Sequence, residues 1–249
     1  MKSALVLPEV TLVLIETREH ELARLALEDC QARAMFGDVL VFTDRPDYFA
    51  DAGRRIIQVP DWPDKMGWAR HMWQSVAPHV RTSHMLCIQW DSWIIDPASW
   101  RGEFMSYDYI GSPWWYTDGR NVGNSGFCLR STALMRYLRA HRDVLPCTTS
   151  AEDDLLCRRY RLALEDRGFT WAPEGVARLF AFECVRPEPY APTFGFHGIG
   201  NWHMVLEPDA LLHRARVAAA SKYITNTPHL WPAFCRSNPD IVAQLARVS

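Results

Sequence analysis

Short apolar runs and amphipathic stretches alternate along the first part of this chain, and that alternation limits the fold more than any other feature. Residues 10–16 (VTLVLIE) are apolar and β-branched, the pattern of a fully buried strand. Leu22, Leu25, Ala26, Cys30 and Ala34 follow at helical spacing, which predicts a helix over residues 19–36, stopped by Gly37 and Asp38. Residues 39–43, 55–59 and 84–89 read as further strands, and residues 68–77 as a helix. Strand, helix, strand in this order implies parallel β-α-β units and a doubly wound, mainly parallel central sheet. On such sheets ligands sit beyond the carboxyl ends of the strands. Thr17-Arg18 and Trp90-Asp91-Ser92 therefore become the first places to look for a site.

The second half is less regular. Residues 107–111 and 127–130 read as short strands around a loop rich in aromatics and glycine. Residues 132–141 and 154–167 read as helices, and 169–171 and 176–183 as extended. The C-terminal extension, about residues 205–249, reads as helical and punctuated by prolines. It is expected to pack on a core of about residues 10–204, giving one α/β domain over 1–249. A net charge of −2 argues against nucleic acid as the main partner. The seven cysteines have no CxxC spacing, which suits reduced core thiols and a cytoplasmic protein. Pro8 and Glu9 break the apolar start before a signal-peptide core can form, and no run suits a transmembrane segment.

Several short blocks can carry chemistry, and each also has a plain structural reading. In residues 86–91 (LCIQWD) an apolar strand ends in Gln89 and Asp91, spaced to point the same way. Asp91 suits a divalent metal bridging a diphosphate, or it closes an Asx turn. The run through Asn124, Ser125 and Gly126 lets backbone approach a ligand, or forms a hairpin turn. Ser150 is a natural N-cap for a helix opening on Glu152, Asp153 and Asp154. Those acids either complement the helix dipole or supply a general base. His197 stands among aromatics and glycines, as a structural histidine or a ligand, and His203 is a weaker candidate of the same kind. Trp114 and Trp115 offer a sugar-stacking platform or core packing.

Taken in order, the blocks VLIETR, IQWDS, YDYIGSPW, GNSGFCLRS, Glu152-Asp153 and Phe196-His197 resemble a family of GT-A-like glycosyltransferases of bacteria and fungi. The resemblance spans about residues 10–200 and rests mostly on YDYIGSPW and GNSGFCLRS. It implies a GT-A fold and transfer of a sugar from a nucleotide-diphosphate donor, such as a UDP-sugar, to a glycan or small-molecule acceptor. It further implies Mn²⁺ or Mg²⁺ held by Asp91 and His197, and inversion with Asp153 as base and Glu152 as runner-up. In this reading Thr17, Arg18, Gln89, Asp91, Asn124, Ser125 and Gly126 would bind the donor, and Trp114 and Trp115 would be the substrate-binding, sugar-stacking pair. Where the family's DxD motif has its first Asp, this chain has Gln89, which can only hydrogen-bond. That departure keeps a second reading open, a catalytically inactive carbohydrate- or nucleotide-binding module. A nucleotidyltransferase fits less well, because the segment after the first strand has no glycine.

Overall fold

The long first strand organises the protein through its alternation. In β1 (Leu5–Glu16), Val10, Leu12 and Leu14 enter one buried cluster, while Val13 and Ile15 enter another on the opposite face. A strand buried on both faces needs cover on both, and helices supply it. The computed structural model describes residues 4–62, 64–184 and 192–246.

After β1 come α1 (His20–Arg33), β2 (Ala34–Thr43), β3 (Arg55–Gln58), α2 (Lys65–Gln74), β4 (His84–Ile88), β5 (Ser92–Ile94), β6 (Tyr109–Ile110), β7 (Phe127–Ser131) and α3 (Thr132–Ala140). A single turn, α4 (Glu152–Asp154), runs through a π-helical segment at Leu155–Arg159 into α5 (Arg161–Glu165). Then follow α6 (Glu174–Phe180), β8 (Ala181–Phe182), β9 (Gly195–His197) and α7 (Pro208–Ala220). The chain closes with α8 (Lys222–Asn226), α9 (Trp231–Ser237) and α10 (Pro239–Ala246). One face of the main sheet is covered by α1, α6, α7 and the small sheet, and the other by α2, α3 and α5.

The main sheet has the order β3-β2-β1-β4-β7-β6. Strands β1 to β4 are mutually parallel, as the alternating pattern implies. β7 runs antiparallel to both β4 and β6, so the sheet is mixed. The connection explains this. Residues 111–124 fold back on themselves, with Pro113 bridged to Val122 and the Trp114 amide donating to the Asn121 carbonyl at 2.6 Å. A connection that returns locally gives antiparallel neighbours, whereas parallel ones need a crossover. A second, three-stranded sheet, β5-β9-β8, has no clear signal in the sequence, because its strands are only two or three residues long.

Other local expectations need correcting. Helix α1 ends at Arg33 and passes directly into β2, so Gly37 lies inside a strand. Residues 176–180 are helical, not extended, because Ala177 and Phe180 share the buried side of α6. Ser150 does not cap α4; the capping position falls on Ala151, without a side-chain bond. The C-terminal helices pack onto the core as expected, through Ala215, Ala218, Ile224, Phe234 and Ile241. Arg214 of α7 pairs with Asp29 of α1 and lies over the Trp93 ring at 4.3 Å. All seven cysteines are unbridged, five of them buried. Among the described residues, no helix is long and apolar enough to cross a membrane.

Candidate active-site cleft

Strand register brings the chemistry-bearing blocks to one edge. Leu14 of β1 pairs with Ile88 of β4, so residues 16–18 and 89–91 emerge side by side. Ile88 also pairs with Phe127, which delivers the loop through Asn124, Ser125 and Gly126 to the same end. Ser92 pairs with His197, setting the histidine next to Asp91. The Asp91 carbonyl then accepts from the Gly198 amide at 3.1 Å.

Three adjoining hollows form the cleft. The first, about 90 Å³, is lined by Thr17, Arg18, Trp62, Trp68, Gln89 and Tyr223, among others. Its floor is a built turn. Glu16 Oε1 accepts from the Arg18 and Glu19 amides at 2.7 and 3.0 Å. Burial raises the Glu16 pKa above the ordinary carboxylate value, against those bonds. Arg18 bonds the Trp62 carbonyl at 3.4 Å and stands 5.0 Å over the Tyr223 ring. Ser150, expected as a cap, instead lines this hollow.

The second hollow, about 490 Å³, shares Lys65, Gln89, Trp90 and Tyr223 with the first and contains Asp91 and His197. Ser92 Oγ closes the turn before it, accepting from the Gln89 amide at 2.9 Å and donating to the Gly126 carbonyl at 2.5 Å. Asp91 is 2% exposed. His197 Nε2 lies 3.3 Å from Asp91 Oδ1, yet the pair completes no hydrogen bond, which leaves Oδ1 buried without a hydrogen-bond partner. The other ring nitrogen, Nδ1, is held by Glu183 Oε1 at 2.7 Å. Burial works against charge on His197, but Asp91 and Glu183 outweigh it and hold the pKa well above the ordinary value.

These residues fit a divalent cation. Adjacent ligands of an octahedral ion with bonds of about 2.1 Å stand about 3 Å apart. The carboxylate behind Nδ1 is the usual means of orienting a metal-binding imidazole. No metal-holding group of three His, Cys, Asp or Glu occurs among the described residues. Two protein ligands suit Mg²⁺ or Mn²⁺, whose shells are commonly completed by substrate phosphates and water.

The third hollow, about 280 Å³, shares Glu183, Cys184 and His197 with the second. Trp114, Trp115 and Tyr116 form one wall and Asp153 and Asp154 another. Asp153 accepts from the Ser125 and Asp154 amides at 3.2 and 3.0 Å. Desolvation first, and then the neighbouring Glu152, push its pKa up to about 6. Trp115 is 63% exposed at the rim. The aromatic loop is pinned from below: Arg158 forks onto Asp118, with both bonds at 2.9 Å, and lies 3.7 Å from the Tyr116 ring centre.

Asn124 joins the second and third hollows. It is the one described non-glycine residue with positive φ, at 70°. Its side chain donates to Glu183 and accepts from the Gly126 and Phe127 amides, while Tyr109 holds its carbonyl at 2.6 Å. Left-handed strain on a residue fixed from so many sides is common at functional sites. Gly126 is equally constrained, since a Cβ there would lie 2.2 Å from the His197 ring.

The expected site residues therefore divide. Thr17, Arg18, Gln89, Asp91, Asn124, Ser125, Gly126, Asp153, His197, Trp114 and Trp115 all line one cleft. Asn124, Ser125 and Gly126 border the third hollow, away from the one beside Arg18. Glu152 is elsewhere: it is fully buried in a forked pair with Arg130, at 2.7 and 3.1 Å, and cannot reach a substrate. His203 is exposed on the 3₁₀ segment after β9 and does not line the cleft. Glu183, Lys65, Tyr223, His229 and Arg236 were not expected. Glu183 had a signal, a carboxylate ending an apolar run, the same pattern that marks Asp91.

Comparison with known proteins gives one family. Residues 64–197 match the family described as "Protein of unknown function (DUF5672)". That span contains Asp91, Asn124, Asp153, Glu183 and His197. No curated protein matches the chain.

Proposed function

The chain belongs to the DUF5672 family, and we propose that it is a metal-dependent glycosyltransferase of GT-A type acting on a nucleotide-diphosphate sugar. One observation carries the reading. The buried Asp91 oxygen that faces His197 at 3.3 Å lies between a hollow walled by tryptophans and another holding a carboxylate of raised pKa. Nucleoside, diphosphate and acceptor need those three environments in that order. The mixed sheet, with a small sheet at its carboxyl edge, is compatible with the GT-A type.

In this reading Asp91 and His197 hold the ion, with Glu183 and Asn124 fixing the imidazole. Held there, a divalent ion would supply charge neutralisation for a leaving diphosphate. Trp114 and Trp115 stack an acceptor sugar, the packing that aromatic faces favour. Asp153 takes the acceptor hydroxyl's proton. A pKa of about 6 leaves it ionised at neutral pH yet more basic than an ordinary aspartate. A base on the side opposite the leaving group gives inversion.

The test is a panel of UDP- and other nucleotide-sugars with methyl glycoside acceptors, with and without Mn²⁺. Metal-dependent transfer with inverted anomeric configuration is expected, and Asp153→Asn should lower turnover by roughly 10²- to 10⁴-fold. Nucleotide binding without transfer or donor hydrolysis across the panel would leave the binding-module reading in its place.

A further inference from the structure

Two cysteines that the proposed chemistry leaves unused face each other in the main sheet. Cys87 of β4 and Cys128 of β7 are direct partners in the antiparallel ladder, and both enter the buried cluster that α2 and α3 cover. Residues opposed in this way share a face and have Cα atoms about 4.5–5.5 Å apart. A disulfide spans Cα atoms about 4.4–6.8 Å apart, so this pair can close with both strands in register.

The two thiols are not equivalent. Arg130 gives two of its nitrogens to Glu152 and the third, Nε, to Cys128 Sγ at 3.1 Å. Burial opposes ionisation of Cys128, but the adjoining Cys87 thiol and the Arg130 guanidinium outweigh it and draw its pKa below the ordinary value. The Cys128 sulfur, and then burial, hold Cys87 well above that value. One thiol is thus the nucleophile and the other its proton-bearing partner. Cys128 also sits just behind the cleft. Its Sγ is 3.6 Å from the Ser125 carbonyl oxygen, and Ser125 and Gly126 border the third hollow. A small oxidant that enters this hollow is one residue away from the sulfur.

We propose that Cys87 and Cys128 are a peroxide-oxidisable dithiol site that closes to a cross-strand disulfide beneath the cleft. The Cys128 thiolate attacks hydrogen peroxide and breaks its O–O bond, giving a sulfenic acid and hydroxide. The Cys87 sulfur then displaces the sulfenic oxygen, which leaves with the Cys87 proton as water. In sum the two thiols give up two electrons and two protons, and the peroxide becomes two waters. A dithiol reductant reverses the reaction. Closing the bond draws the Cys128 sulfur away from Arg130 and from Ser125, whose amide donates to Asp153. An effect on turnover rests on the glycosyl-transfer reading, whereas formation of the bond does not.

The test treats the folded full chain with hydrogen peroxide, both as wild type and with Cys184→Ser and Cys235→Ser, which remove the two cysteines that are not buried. After thiol blocking and digestion, mass spectrometry should find Cys87 joined to Cys128 in both proteins, and dithiothreitol should release the link. In Cys87→Ser, dimedone should trap Cys128 as its sulfenic acid, roughly tenfold faster than it traps Cys87 in Cys128→Ser. Both thiols free after exposure that fully oxidises Cys184 overturns the proposal, as does a link from either cysteine to a third. Equal trapping in the two single variants overturns the assignment of Cys128 as nucleophile. If a single variant fails to fold, the link in the wild-type chain still decides. Nucleotide-sugar turnover is measured before and after oxidation. A reversible Cys87–Cys128 bond in a chain that transfers no sugar upholds this site and tells only against the transfer reading. An active transferase whose two thiols survive peroxide does the reverse.

Discussion

Glu152 and Asp153 are neighbours in sequence with opposite fates, and the difference lies in what each one touches. Glu152 neutralises Arg130 in the core, where neither side chain is exposed. Removing one partner of such a pair strands the other charge. Glu152→Gln is therefore expected to cost about 3–5 kcal/mol of stability, measured by denaturant unfolding. A loss below about 1 kcal/mol would show that Arg130 has another counter-charge. Asp153 has no such partner among the described residues and faces the cleft with a pKa of about 6. Its folded pKa lies above that of an unfolded aspartate, so the native state binds the extra proton. Its contribution to stability is thus fully present below the unfolded pKa and is lost as pH rises through about 6. Asp153→Asn should consequently melt higher than wild type at pH 8, with the gain shrinking towards pH 4, while turnover falls. An unchanged or lower melting temperature at pH 8 would contradict the burial of this carboxylate. The acidic pair was visible in the sequence, but its division of labour was not, because Arg130 comes from a strand about twenty residues earlier.

At the level of elements, the site exists because β7 and β9 approach each other at Gly126 and His197. Apolar runs made β1, β2, β4 and β7 legible, since a strand buried on both faces leaves a dense local signal, and the half-buried edge strand β3 showed only as its short β-branched pair Ile56-Ile57. The small sheet was not legible. β5, β8 and β9 are too short for periodicity, and their pairing is set by long-range contacts. Helix α6 was misread because Val176 and Phe180 carry strand-like side chains, while its burial follows a helical spacing. Gly126 in GNSGFCLRS was read as letting backbone approach a ligand or as part of a hairpin turn; the structure shows that it also makes room for a neighbouring ring. A methyl group there would meet the His197 ring at 2.2 Å. Gly126→Ala is expected to displace His197 from Asp91 and weaken Mn²⁺ binding at least tenfold, as read by calorimetry. Glu183→Gln should act in the same direction by a different route, through loss of the carboxylate that orients Nδ1, at about 10- to 100-fold. Native Mn²⁺ affinity in both variants would remove His197 from the metal site.

Across the whole molecule, the cleft draws its walls from segments far apart in the chain: the end of β1, the start of α2, the turn after β4, the loop before β7 and the C-terminal arm. The first four belong to the α/β core, whose alternating sequence pattern points to this edge. The arm did not announce itself, because its prolines and short helices read as packing, and Tyr223, His229 and Arg236 have no motif spacing. Its attachment is local. α8 and α9 each bury a single side chain deeply, Ile224 and Phe234, while α7 ties itself to α1 through Arg214 and Asp29. Segments with few buried apolar groups open at low free energy, and a ligand held against them closes them. Adding Mn²⁺ and UDP should therefore slow amide hydrogen exchange in residues 222–237 and in 64–68, which share the first two hollows. Exchange in α3 should not change, since that helix packs on the far face and lines none of the three hollows. The protection should need both components if, as proposed, the ion is held by Asp91 and His197 together with the diphosphate. Protection confined to 16–18 and 64–68, with the arm unaffected, would make the arm a passive neighbour of the site. Equal protection throughout the chain would instead reflect global stabilisation, with no closure of the arm on its ligand.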